Sequence, residues 1–219
     1  MKQLARFLEQ SASMHRHLCP RQVLGVRMGM LAGDILNLDL PQSDKRLLTF
    51  VETDGCTADG ISVATGCWLG RRTMRLFDFG KVAATFVDTK TNAAVRIWPH
   101  PRCREIAYRY APKASSRWVS QLEAYQIMPM NELLVAQEVT LSISHQDIVS
   151  RPGVRARCDI CHEEIINQRE TVRDELVLCR ACAGAAYYTY QESNLSASED
   201  RRSAGMHATH QGERGSTHA

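Results

Sequence analysis

A chain of 219 residues with 44% apolar and 23% charged side chains has an ordinary globular composition, and its length suits one medium domain plus a small one. The net charge of +3 is too small to argue for a nucleic-acid partner, and no run of about 18 apolar residues is present to cross a membrane. The amino terminus lacks a secretory apolar run, and four of the eight cysteines form two C-x-x-C pairs, so a cytoplasmic, metal-binding protein is expected rather than a disulfide-bonded one.

In chain order, "MKQLARFLEQ" predicts an amphipathic helix. "MHRHLCPRQ", Met14 to Gln22, then gathers His15, His17 and Cys19 directly before Pro20. Residues 21–38 predict a second helix, with Pro20 suited to the first helical position because it lacks the amide left unpaired there. Gly25, Gly29 and Gly33 recur every four residues and lay one flat face along that helix. Each glycine costs a helix about 1 kcal/mol against alanine, so a second backbone is expected close by, read here as a helix-on-sheet contact. "RLLTFVE" (46–52) predicts a strand. Residues 58–66 predict a short helix, capped by Thr57 and stopped at Gly66. "MRLFDFG", "KVAATFVDT" and "AAVRIWP" predict three more strands, the last two separated by the turn-rich "KTN". Residues 103–110, 116–127 and 131–138 predict helices, and "VTLSIS" a returning strand. The mixture points to an α+β layer architecture.

Composition divides the chain into a core domain (1–148), a four-cysteine domain (149–191) introduced by "SRPGVRAR", and a polar tail (192–219) expected to be disordered. In the second part Cys158, Cys161, Cys179 and Cys182 form C-x2-C-x17-C-x2-C. Two such knuckles supply the four sulfurs that tetrahedral Zn2+ prefers, and with all four positions filled that zinc is structural. Reduced structural cysteines or two redox pairs fit the spacing less well. The alternating stretch between the knuckles predicts a hairpin, and "RACAGAAYYTY" predicts a helix whose first turn holds Cys179 and Cys182. Knuckle, hairpin and helix describe a treble-clef zinc finger, with His162 a bystander. Residues 151–190 carry six basic and six acidic side chains, which counts against DNA binding.

In the core, Pro20 pushes Cys19 out of helical geometry into the cap position, where unpaired amides and the positive helix end favour a thiolate. His17 and Cys19 are two apart, so an extended segment presents them on one side. Cys56 and Cys67 flank the predicted short helix. About 12 Å of helix separates them, too far to share one ion, so Cys67 ranks below Cys56 as a ligand. Cys103 carries no motif and is read as structural.

"HLCPRQVLGVRMG", "ETDGCTADGISVATGCWLG" and "LFDFGKVAATFVDTKTNAAVRI" together resemble the FmdE family, named for a component of formylmethanofuran dehydrogenase, over roughly residues 10 to 190. The resemblance implies an α+β core with a mixed β-sheet flanked by helices, a small C-terminal treble-clef zinc finger, and a homodimer. It also implies a metal-binding site near the histidine and cysteine motifs. The family's H-G-H-x-C-P-G motif falls on His15, His17, Cys19 and Pro20, its later cysteine and aspartate on Cys56 and Asp59, its T-G-C motif on Thr65 to Cys67, and its D-x-G-K turn on Asp78 and Lys81. Arg16 and Arg21 stand where the family usually carries glycine, and could admit an anion or obstruct the pocket. On this reading His17, Cys19 and Cys56, with His15, hold a second Zn2+ or another transition metal, and Cys19, Asp59 and Lys81 are the candidate catalytic groups.

Three functions compete. The first is an accessory or subunit-like partner of a molybdenum or tungsten oxidoreductase, the class the family name points to. The second is a stand-alone zinc-dependent enzyme, with Asp54 or Asp59 as proton acceptor and Lys81 or Arg72 holding an anion. The third is a zinc-finger transcriptional regulator, disfavoured by the charge balance of 151–190.

Overall fold

A computed structural model describes residues 2–144 and 153–190 of the chain, which divides into two compact units, Met1–Ser150 and Arg151–Ala219. The tail expected to be disordered lies outside the described residues. Among those described, no helix is long and apolar enough to cross a membrane.

In the first unit two helices, α1 (Lys2–His15) and α2 (Pro20–Leu36), precede strand β1 (Leu47–Val51), helix α3 (Cys56–Thr65) and strand β2 (Met74–Leu76). The hairpin β3 (Ala84–Asp88) and β4 (Ala94–Pro99) follows, then helices α4 (Cys103–Tyr110), α5 (Arg117–Ile127) and α6 (Met130–Leu133) and a last strand, β5 (Leu134–Glu138). The sheet order is β2-β1-β3-β4-β5. β2 runs parallel to β1 and every other pair is antiparallel. This is the mixed sheet flanked by helices.

Strand alternation sends Leu47, Val51, Phe86, Val95 and Ile97 to the helical face, where they join Val23, Val26 and Met28 of α2. Leu48, Phe50, Val87 and Ala94 form a smaller cluster on the opposite face, covered by Val139 and Leu141. At the sheet margin Arg46 grips Asp88 through both carboxylate oxygens, at 2.8 and 2.7 Å. That guanidinium holds the buried Asp88 carboxyl well below the usual carboxylate range, even though burial works against it.

Two sequence expectations change here. Residues 131–138 were expected to be helical, but α6 ends at Leu133 and the next five residues form β5, registered Leu134 against Pro99 and Ala136 against Ile97. A short apolar run such as "LLVA" suits either state, and the open edge of β4 decides for the strand by pairing its amides and carbonyls. "VTLSIS", residues 139–144, forms no strand and instead caps the second face of the sheet.

α2 is buried nearly all round and contacts α1, α3, α5, β3 and β4. Its glycine face meets α3 at Gly25 and Gly29 and the Leu38 to Leu40 segment at Gly33, not the sheet. A Cβ on Gly25 would lie 2.2 Å from the Thr57 carbonyl oxygen, and one on Gly60 would lie 2.4 Å from that of Gln22. The two helices therefore touch backbone to backbone near their amino-terminal ends. Thr57, expected as a cap, is instead buried in α3, and Gly55 occupies the cap position.

The second unit is built from two short hairpins. β6 (Arg155–Arg157) pairs with β7 (Glu164–Ile166) across the first knuckle, and β8 (Thr171–Arg173) pairs with β9 (Leu176–Leu178) ahead of the second. The helix expected to hold Cys179 and Cys182 in its first turn is a single turn, Ala181–Ala185, which includes Cys182 but not Cys179 and ends where Gly184 takes φ 97°.

Candidate metal centres and an adjoining cavity

Each unit gathers thiols. In the second, the Sγ atoms of Cys158, Cys161, Cys179 and Cys182 all lie within 4.8 Å of one another. Among the described residues this is the only group of three or more candidate ligands so tightly drawn together. The backbone supports it: Cys179 N–H donates to Cys158 Sγ at 3.3 Å and Cys182 N–H to Cys179 Sγ at 3.4 Å. Asp159 ties its knuckle to β9, its amide donating to the Val177 carbonyl and its carboxylate accepting from the Val177 amide. Burial alone would raise the Cys158 thiol, but amides of Cys161, Cys179 and Ile160 outweigh it and bring it down to about 6. Cys182 goes the other way, to about 12, chiefly through its hydrogen bond with Cys179. Burial pushes Cys161 up as well. Sulfurs this close cannot all be thiolates unless a cation sits among them, which is the electrostatic signature of a metal site. His162 is exposed, as expected of a bystander.

In the first unit the contact between α2 and α3 brings together the starts of both helices. Cys19 caps α2 in extended geometry and is only 8% exposed, while Cys56 opens α3. The two thiols lie near enough for Cys19 to act on the protonation of Cys56. Burial pushes the Cys56 thiol up, and the neighbouring Cys19 and Asp59 add to the rise. For Cys56, the positive end of its helix does not prevail.

Gln22 holds this corner in place, and the sequence reading missed it. Its Oε1 accepts from the Cys19 amide at 2.7 Å and its Nε2 donates to the Ser11 carbonyl at 2.8 Å, locking α1 onto the cap of α2. Cap, two residues, then glutamine is a capping-box spacing, with cysteine in place of the usual serine or threonine, and that signal was legible.

His15 ends α1, and its Nε2 donates to Asp59 Oδ2 on α3 at 2.7 Å. Arg16 turns the chain through φ 61°. His17 Nδ1 then donates to the His15 carbonyl at 2.9 Å. A carbonyl only accepts, so the Nδ1 proton is fixed and Nε2 keeps its lone pair, the tautomer a metal ligand requires. His15, His17, Cys19, Cys56 and Asp59 thus share one corner, although their ligand atoms are not gathered as tightly as in the finger.

Other predicted residues fall elsewhere. Cys67 is fully buried, accepting from Gln42 Nε2 at 3.3 Å and facing the Leu47 carbonyl at 3.4 Å. Lys81 is exposed, its ammonium 6.0 Å from the Phe79 ring, on the turn where Asp78 accepts from the Gly80 amide.

Beside the corner lies a cavity of 530 Å³ between α3 and β2. Gly55, Ala58, Asp59 and Ser62 line it along one face of α3, with Trp68, Leu69, Met74 and Leu76 opposite. Nothing in the local sequence pattern pointed to it.

An α+β core with a glycine-packed helix pair, carrying a thiol and histidine corner and joined to a four-cysteine finger, defines the class of protein. The family described as "FmdE, Molybdenum formylmethanofuran dehydrogenase operon" matches residues 14–139, and the chain belongs to the FmdE family. A "Probable S-adenosyl-L-methionine-binding protein" of Archaeoglobus fulgidus is 36% identical over 204 residues, covering 84% of this chain and 54% of that protein. The chain thus spans about half the length of this curated relative. The crystal structure of a tungsten formylmethanofuran dehydrogenase FmdE-like protein from Syntrophus aciditrophicus aligns with a TM-score of 0.56 at 21% identity, over 85% of this chain and 95% of that one. That likeness establishes the fold.

Proposed function

We propose that this protein is a cytoplasmic, homodimeric, metal-binding accessory partner of a molybdenum or tungsten oxidoreductase. It holds zinc in the finger and a second transition metal at His17, Cys19 and Cys56. The observation that carries this reading is the pairing of Cys19 with Cys56, together with an imidazole two residues before Cys19 whose Nδ1 bond leaves Nε2 free to ligate. His15 is oriented by Asp59 and serves as a further ligand or as the partner of bound water. The test is metal content of anaerobically purified protein. About two ions per chain, falling to about one in Cys19→Ser and in Cys56→Ser, is the expected result. One ion in all three proteins overturns the core site. Failure of the two-metal protein to associate with an oxidoreductase from the same cell overturns the accessory role.

A second reading, binding of S-adenosyl-L-methionine, comes from the name of the Archaeoglobus relative. The 530 Å³ cavity favours it, being within the roughly 300–1,000 Å³ of small-molecule sites and sharing Asp59 with the histidine and thiol corner.

A further inference from the structure

The cavity's lining is mainly apolar, yet its ionisable side chains are two carboxylates, Asp54 and Asp59, and no lysine or arginine lines it. Two of the neighbouring cations, Arg71 and Arg75, are engaged elsewhere or face away. The Arg71 guanidinium donates to the carbonyls of Gln42, Ser43 and Gly66 and lies over the Trp68 ring. Arg75 alternates to the opposite face of β2 from Met74 and Leu76. A neutral apolar ligand would gain little from the carboxylates and an anion would be repelled by them. A cation with an apolar body suits both parts of the lining, with the indole of Trp68 and the thioethers of Met14 and Met74 as polarisable wall.

We propose that this cavity is a binding site for small organic cations of the sulfonium or quaternary ammonium type, and that Asp54, with Asp59, reads the positive charge. Asp59 is already held by His15, so Asp54, exposed at the mouth, is the principal determinant of charge selection. The adenosyl arm of the test rests on the second reading above, whereas the charge argument stands on the lining alone. For a nucleoside ligand the consequence is specific. The site holds the sulfonium more tightly than the neutral thioether of the same nucleoside.

The experiment is ligand-observed NMR titration of the full-length protein with two matched pairs. One is phenyltrimethylammonium and its neutral isostere tert-butylbenzene; the other is S-adenosyl-L-methionine and S-adenosylhomocysteine. Each cation is expected to bind about tenfold more tightly than its neutral partner. Asp54→Asn is expected to abolish that preference, and Ser62→Leu, which fills the cavity, to weaken binding of both members of each pair. Unchanged thermal midpoints show that the variants fold. Equal affinity for charged and neutral partners overturns charge selection and leaves the nucleoside reading standing. Preference within the first pair alone supports the cation site and overturns the nucleoside reading. Binding that Ser62→Leu leaves untouched, or a cavity mouth found closed by a second copy of the chain in solution, overturns the site itself.

Discussion

Arg16 is the residue that turns the end of α1 toward the thiols, and it does so at φ 61°, a conformation that costs an L-residue about 1–2 kcal/mol. Glycine, usual here in the family, takes this geometry without the cost but gives up entropy in the unfolded chain. Arg16→Gly is therefore expected to raise stability by about 0.5 kcal/mol, read as a higher urea midpoint with an unchanged slope. A lower midpoint would mean that the arginine side chain contributes more than its backbone strain removes. At this scale the sequence was informative about types and poor about partners. His15, His17 and Cys19 are close in the chain, so their clustering was legible. The bond from His15 to Asp59 spans 44 positions, and no local pattern encodes it.

Among elements, the crossing of α2 and α3 matters most. Gly25 and Gly60 let two helix backbones meet, and Cys19 and Cys56 come together because they begin those helices. Gly25→Ala, which places a methyl 2.2 Å from a carbonyl oxygen that cannot rotate away, is expected to destabilise the fold by about 3 kcal/mol. It is also expected to slow any reaction that needs both thiols, such as uptake of a thiophilic metal. Denaturant unfolding and a two-thiol titration check the two parts, and near-neutral stability would show that the helices separate without penalty. The glycine spacing predicted a close backbone contact but assigned it to the sheet, whereas the partner is α3, because spacing within one helix carries no record of which surface packs on it. The same limit explains β5, where a free sheet edge overrode an ambiguous apolar run.

Across the whole molecule, the finger has its own small core of Cys158, Ile165 and Leu178, and the sulfurs stand at its centre. So little buried surface leaves folding of this unit dependent on its metal. Removing the metal is expected to strip amide exchange protection from β6 to β9. The Cys161 and Cys182 thiols are pushed up and so carry protons at pH 7. Metal uptake must displace those protons, so affinity should rise with pH and fall as the solution is acidified. Competition with a chromophoric chelator between pH 6 and 8 checks the sign, and a flat profile would overturn it.

The sequence alone determined what depends on neighbours in the chain. A proline starts α2, glycine stops α3, and two C-x-x-C pairs make metal knuckles, because such preferences act over a few residues of backbone. Only the tertiary structure decided that the glycine face meets α3, that His15 meets Asp59, and that α3 and β2 enclose a cavity whose charged side chains are both acidic. Those outcomes depend on which distant surfaces exclude water together, and burial of that kind leaves no fixed spacing in the chain.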